Sequence, residues 1–245
     1  MENKNSDKEV LLRAKNYPYP RPRGSYLLES DRIIELKGRV LDGNLKKFVP
    51  VLAYGSNASP DQLRRKLPEI REPIAVLEAT LMDIDVIFSA HFSRYGALPA
   101  TLVNSPGAKL YTHVVMLKKQ QLNLIHKTEM PDYTYGIIKK PILIDRVGFR
   151  ECIYAYFFDH GYTVDGRFVS FEEIHTENRK YVSMKHPDML ELAGKKIDSN
   201  SSFDKFILSM VDNEDVFKKN KSALQKESLR IKLDCFEPIL LKAKK

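Results

Sequence analysis

The run at residues 51–62, Val-Leu-Ala-Tyr-Gly-Ser-Asn-Ala-Ser-Pro-Asp-Gln, limits what this chain can fold into more than any other stretch. Residues 48–53 are an apolar run of strand length with β-branched members, and Gly55 lets the backbone turn tightly or approach a ligand with no Cβ in the way. Ser59 has the chemistry of an N-cap, Pro60 suits the first helical position, and Gln62 three residues later completes a Ser-x-x-Gln capping box. Leu63 and Leu67 supply an apolar stripe to the helix that starts there, with Arg64, Arg65 and Lys66 expected on its outer face. A strand, a tight turn and a helix start therefore follow in succession. Backbone N–H groups converging at such a turn suit an anion or a developing oxyanion. The plainer reading is an ordinary strand-to-helix turn in which Ser56 and Asn57 satisfy local backbone groups, and spacing alone favours it.

Three regions follow from composition and periodicity. Residues 1–47 include the arm 16–26, whose alternating prolines predict an extended polyproline-like path with Tyr17, Tyr19 and Tyr26 packed across the core. Residues 48–173 read as a strand-rich core, including a buried strand at 152–158 and a segment at 167–171, with turn signals at Asp159-His160-Gly161 and Asp165-Gly166. Residues 174–245 read mainly as helices, at 188–193, 203–211 and 215–229, with 198–202 as a loop. The stretch 231–241 is either a returning strand or a docked tail. The expected class is α+β, with flanking helices and a C-terminal helical extension.

Tyr54-Gly55-Ser56-Asn57 at the end of a first apolar strand, with a leucine-bearing helix after it, resembles the signature loop of the γ-glutamyl cyclotransferase-like family. Further segments match in order. Residues 79–88 look like that family's next strand, and Ala100-Thr101-Leu102 leading into Ser105-Pro106-Gly107 looks like its next conserved segment. A strand at 110–117, a short helix at 118–128 and then Glu129, at the family's catalytic glutamate position, complete the series. These matches cover roughly residues 48–144, about half of the chain, and imply a mixed β-barrel core.

Glu129 is also singled out by its helix. If residues 118–129 are helical, Leu122, Ile125 and Glu129 stand at i, i+3 and i+7 and share one face, so the carboxylate points the way the apolar side chains do. An apolar setting disfavours the charged carboxylate and moves it toward the range useful for proton transfer. The plainer alternative is a helix-end glutamate that reaches solvent.

The resemblance implies a specific reaction. The α-amine of a γ-glutamyl compound attacks its own γ-carbonyl, closing 5-oxoproline and releasing the acylated amine. Glu129 would serve as base and then acid. Backbone N–H groups around Gly55, Ser56, Asn57 and Ala58 would hold the glutamyl carboxylate or the carbonyl oxygen, with Tyr54 as a wall. Tyr133 and Tyr135 both fall where relatives often carry a tyrosine, and a later tyrosine of relatives corresponds to Tyr181 or to the region of Phe203. Arg94, in the loop 91–99, is a candidate carboxylate clamp, and His91 and His126 are neighbours that would border or tune the site. The alternative is a binding or regulatory module on the same fold without turnover.

Composition bounds the remaining classes. At 245 residues and 43% hydrophobic content, with no apolar run near the ~18 residues of a membrane span, neither a membrane partner nor a membrane location is expected. Residues 1–9 are polar and charged, so a secretory leader is not expected, and two isolated cysteines fit a reducing cytoplasm. Cys152 reads as a small core residue. The formal charge of +8 is spread among acidic residues without any nucleic-acid motif, so no nucleic-acid partner is expected and a small-molecule γ-glutamyl substrate is. The six histidines show no metal spacing, and no cofactor is expected. Oligomeric state is left open.

Overall fold

The computed structural model describes residues 2–37, 47–69, 72–130 and 132–240. Residues 38–46 of the expected arm and Leu241 at the end of the expected tail lie outside the described residues. Helix α1 (Glu2–Lys15) leads into strands β1 (Tyr26–Leu28) and β2 (Ile33–Glu35). Strand β3 (Val49–Ala53), a single 3-10 turn (Ser56–Ala58) and helix α2 (Pro60–Lys66) come next. Two long strands, β4 (Ile74–Phe88) and β5 (Ala100–Leu117), precede helix α3 (Lys119–Glu129) and strand β6 (Thr134–Ile138). A small hairpin, β7 (Ile142–Ile144) and β8 (Gly148–Arg150), leads to β9 (Ile153–Phe157) and β10 (His160–Val164). Short strands follow at β11 (Arg167–Phe168), β12 (Ser170–Phe171), β13 (Thr176–Glu177) and β14 (Ser183–Met184). Helices α4 (His186–Ile197), α5 (Phe203–Asp212) and α6 (Glu214–Gln225) precede β15 (Ser228–Arg230) and β16 (Phe236–Pro238). The class is mixed α+β, as expected.

The antiparallel pair β4–β5 is the frame. Its register runs from Ala75 opposite Met116 to Phe88 opposite Ala100, with one shift between Met82 and Ile84. That shift lets Ser105-Pro106-Gly107 lie within β5, so the strand expected at 110–117 continues one that begins at Ala100. Met82 faces Lys109 and Ile84 faces Asn104, so the segment 105–108 bulges out opposite Asp83 and Pro106 owes the ladder no N–H. Asp83 sits at φ 61° and Gly107 at φ 84°, and the Asp83 carboxylate accepts the Gly107 N–H at 2.9 Å.

The expected closed barrel is not formed among the described residues. The main sheet is an open path, β14-β12-β4-β5-β3-β9-β6-β16, with β1, β2, β7, β8 and β13 branching from it, and β11-β10-β15 form a smaller sheet. Its two end strands are two and three residues long, and β16 ends in Pro238, so neither offers a ladder on which to close. Beyond 231, the chain returns as a strand against β6. Two further readings are corrected. His160 and Gly161 open β10 instead of making a turn, because they pair with Arg230 and Leu229. Cys152 is exposed just before β9 begins, so the strand alternation never turns it inward.

Helix α1 was not anticipated from a segment that reads as polar. Its Val10, Leu11 and Ala14 nonetheless pack on the main core, and Lys15 pairs with Asp204 at the start of α5. The arm that follows carries Tyr17 and Tyr19 into the same core, 5% and 7% exposed, and Tyr26 is fully buried in β1. Helices α4 to α6 pack through Met189, Leu190, Phe206 and Phe217 into that single apolar cluster. Ser202 caps α5 by accepting the Lys205 N–H, and Asn213 caps α6 by accepting those of Asp215 and Val216. No helix among the described residues is long and apolar enough to cross a membrane.

Three regions meet at His186. Its ring stacks on Phe171, its Nε2 accepts the Leu98 N–H at 3.1 Å, and its Nδ1 lies 3.3 Å from the Lys15 carbonyl. Those partners suit the neutral tautomer with the proton on Nδ1. Burial lowers its pKa from 6.5 to about 4, and does the same for His91 and His113. Between those values the unfolded chain binds protons that the folded one refuses, so stability is fully present above about pH 6.5 and declines as pH falls toward 4. Urea unfolding midpoints should therefore drop on acidification through this window. His186→Gln should make the decline shallower by about one proton, up to ~1.4 kcal/mol per pH unit.

Candidate active site

Strand β3 ends at Ala53, and the Tyr54 hydroxyl donates to the Tyr156 carbonyl at 2.7 Å, tying the turn to β9. Gly55 follows under close cover: a Cβ there would lie 2.5 Å from the Tyr17 hydroxyl oxygen. The 3-10 turn is closed by Ala58 N–H to Gly55 O at 3.3 Å and Ser59 N–H to Ser56 O at 2.9 Å. Gly55, Ser56 and Asn57, whose N–H groups this closure does not use, line the hollow. Because Ser59 gives its N–H to Ser56, Gln62 has no N-cap amide to accept from, and the expected capping box does not form. Ser59 Oγ and Gln62 Oε1 are buried with no partner among the described residues.

Helix α3 starts with Gln121 accepting the Lys118 N–H at 2.8 Å, and it buries Leu122 and Ile125. Glu129 stands on that same face, as the spacing predicted, with its side chain 13% exposed. What it meets was not predicted. Its Oε1 accepts from Asn57 Nδ2 at 3.1 Å and from the ammonium of Lys66, which is itself 10% exposed and donates to Asn57 Oδ1 at 2.8 Å. The setting of Glu129 is thus an ion pair bridged by an amide, and Lys66 lies inside instead of on the outer helix face. Its position was legible in part: Ser59, Gln62 and Lys66 stand at i, i+3 and i+7, a polar stripe beside Leu63 and Leu67.

Around this junction lies an inner hollow of about 30 Å³. Tyr17, Tyr54, Tyr133 and Tyr156 wall it, the backbone of 55–57 floors it, and Glu129 opens on it. The Tyr17 hydroxyl accepts the Ala100 N–H at 3.0 Å and the Tyr133 hydroxyl donates to the Ala100 carbonyl at 2.8 Å. Burial raises all four phenols above their ordinary range, so they stay neutral and act as walls. Outside the hollow, a wider cavity of about 270 Å³ shares Tyr17, Ser56, Glu129 and Tyr133 with it, and is rimmed by Arg13, Arg65, Lys66 and Arg94.

The candidates divide accordingly. Tyr54, Gly55, Ser56, Asn57, Glu129 and Tyr133 come together, whereas Ala58, Tyr135 and Arg94 do not line the inner hollow. Ala58 belongs to a second core cluster behind the turn, and its carbonyl accepts the Tyr26 hydroxyl at 2.7 Å. Tyr133 donates its N–H to the Glu129 carbonyl at 2.8 Å, which seats it below the carboxylate, while Tyr135 enters β6 and stacks on Tyr154. Arg94 is 68% exposed on the outer rim, paired with Glu214 and lying over the Phe217 ring at 4.5 Å. His126 bonds Tyr156 through Nδ1 at 2.8 Å and touches the site only through that ring. His91 lines the outer cavity, 1% exposed against Tyr133 and Phe158. Tyr181 packs on Phe168 and Phe203 lies beneath Lys15, and neither lines the hollow, whereas Tyr156 does. No cluster of His, Cys, Asp or Glu able to hold a metal ion exists among the described residues.

No family model matches the chain, and no curated protein does. Among solved structures, it is similar to a γ-glutamyl cyclotransferase, with 21% identity, a TM-score of 0.36, and coverage of 45% of this chain and 66% of the other. It is also similar to an Arabidopsis thaliana protein solved in solution, with 19% identity, a TM-score of 0.36, and coverage of 46% and 69%. An uncharacterized Homo sapiens protein shows 17% identity and a TM-score of 0.36 over 66% of this chain and 88% of its own.

The contact between Tyr17 and Gly55 is testable. Gly55→Ala should cost about 1–3 kcal/mol by overpacking against the phenol. In a Tyr17→Phe background the same change should cost clearly less, because the nearest ring carbon is 3.6 Å from the added methyl. Chemical denaturation of the four-member cycle measures the difference.

Proposed function

We propose that the protein is a γ-glutamyl cyclotransferase-like enzyme that releases an amine from a γ-glutamyl amide by forming 5-oxoproline. The observation that carries the reading is Glu129, a carboxylate held over the 55–57 backbone by Asn57 and reached from a cavity. The chemistry needs no enzyme nucleophile. Glu129 takes a proton from the substrate's α-ammonium, and the freed amine attacks the γ-carbonyl carbon. The N–H groups of Gly55, Ser56 and Asn57 hold the oxygen as it gains charge. Collapse breaks the C–N bond to the leaving nitrogen, which receives the proton from Glu129; the restored carboxylate then takes the remaining excess proton of the ring nitrogen and passes it to the departing amine, which leaves as an ammonium. The neutral tyrosine walls exclude water and fold the glutamyl arm toward ring closure.

A second reading, a ligand-binding module without turnover, is favoured by one feature. An ammonium already occupies the Glu129 carboxylate in the free protein. A screen of γ-glutamyl peptides and γ-glutamyl amines for released 5-oxoproline separates the two. Turnover is expected, with Glu129→Gln lowering kcat by about 10²–10⁴ while the circular dichroism spectrum is unchanged. Binding of these compounds without release of 5-oxoproline supports the second reading.

A further inference from the structure

Resting on the cyclotransferase reading, we infer that Lys66 is a specificity-determining residue: its ammonium takes the α-carboxylate of the γ-glutamyl substrate. The α-carbon of a γ-glutamyl group carries an ammonium and a carboxylate side by side. The free protein presents the complementary pair, the Lys66 ammonium against the Glu129 carboxylate, with Asn57 bonded to both. Substrate binding is then an exchange of partners. The substrate ammonium replaces Lys66 on Glu129, and Lys66 turns onto the substrate carboxylate, so each charge leaves one counter-ion for another and none is stranded.

Position supports the exchange. Lys66 is the last residue of α2 and faces the outer cavity, while Glu129 faces both the outer cavity and the inner hollow. A substrate entering the outer cavity meets the ammonium and the carboxylate together. Other cations on that route are engaged elsewhere: Arg94 pairs with Glu214, Arg13 lies over the Tyr95 ring at 4.4 Å, and Arg65 lies over the Tyr19 ring at 5.3 Å. The other carboxylate lining the outer cavity among the described residues, Asp132, is already paired with Lys221 at 2.5 Å. The assignment also frees the 55–57 amides for the carbonyl oxygen, which resolves which of the two substrate anions each group serves.

The test compares γ-glutamyl-p-nitroanilide with 4-aminobutyryl-p-nitroanilide, which lacks only the α-carboxylate and closes to 2-pyrrolidinone. The wild type should prefer the first in kcat/KM. Lys66→Met should lower that preference by about 10- to 100-fold, chiefly through KM for the γ-glutamyl compound, and Lys66→Arg should keep most of it. An unchanged preference in Lys66→Met overturns the inference. If that variant does not fold, Lys66→Gln, which retains donors to Asn57 and Glu129, reads the same ratio. A calorimetric titration needs no turnover. 5-Oxoproline should bind the wild type at least about tenfold more tightly than 2-pyrrolidinone does, and Lys66→Met should abolish the difference. Absence of any catalysed release with this binding pattern intact defeats the cyclotransferase reading but not the role of Lys66. Equal binding of the two lactams by the wild type defeats the role of Lys66.

Discussion

An ammonium and a carboxylate, both nearly withdrawn from water, meet at Lys66 and Glu129, and the site is organised around keeping them together. Removing one partner from such a pair strands the other, typically at about 3–5 kcal/mol, so the elements that carry them must be held in fixed relation. Asn57 supplies the third corner from the turn after β3. The leucine and isoleucine faces of α2 and α3, Leu63, Leu67, Leu122 and Ile125, share one apolar cluster behind the junction. Hydrophobic packing therefore sets the distance at which the charges act, and the polar contacts set their orientation.

The inner walls come from segments far apart in the chain. Tyr17 arrives on the N-terminal arm, Tyr54 on the turn, Tyr133 just after α3 and Tyr156 on β9. Each hydroxyl is bonded to backbone or to a ring nitrogen, which keeps the phenols fixed and leaves Glu129 as the carboxylate that lines the inner hollow. Arm, sheet and C-terminal helices are also coupled through His186, whose neutral ring joins the end of α1 to the loop at Leu98. A disturbance of the arm at Tyr17 reaches Gly55 directly, because the phenol rests on that residue with no space between.

Much was legible from local pattern: the strand, glycine turn and proline-started helix at 49–66, the face of α3 that unites Leu122, Ile125 and Glu129, and the helices beyond 186. These depend on backbone geometry within a few residues, where spacing and capping chemistry speak directly. Tertiary structure decided the rest. It put Lys66 inside because its neighbours Ser59 and Gln62 line the same buried stripe, drew in Tyr17 and Tyr156, sent Arg94 to Glu214, and left the main sheet open between its short end strands β14 and β16. Which partner a side chain meets depends on how all apolar faces are buried at once, and that sum is not written in any one segment.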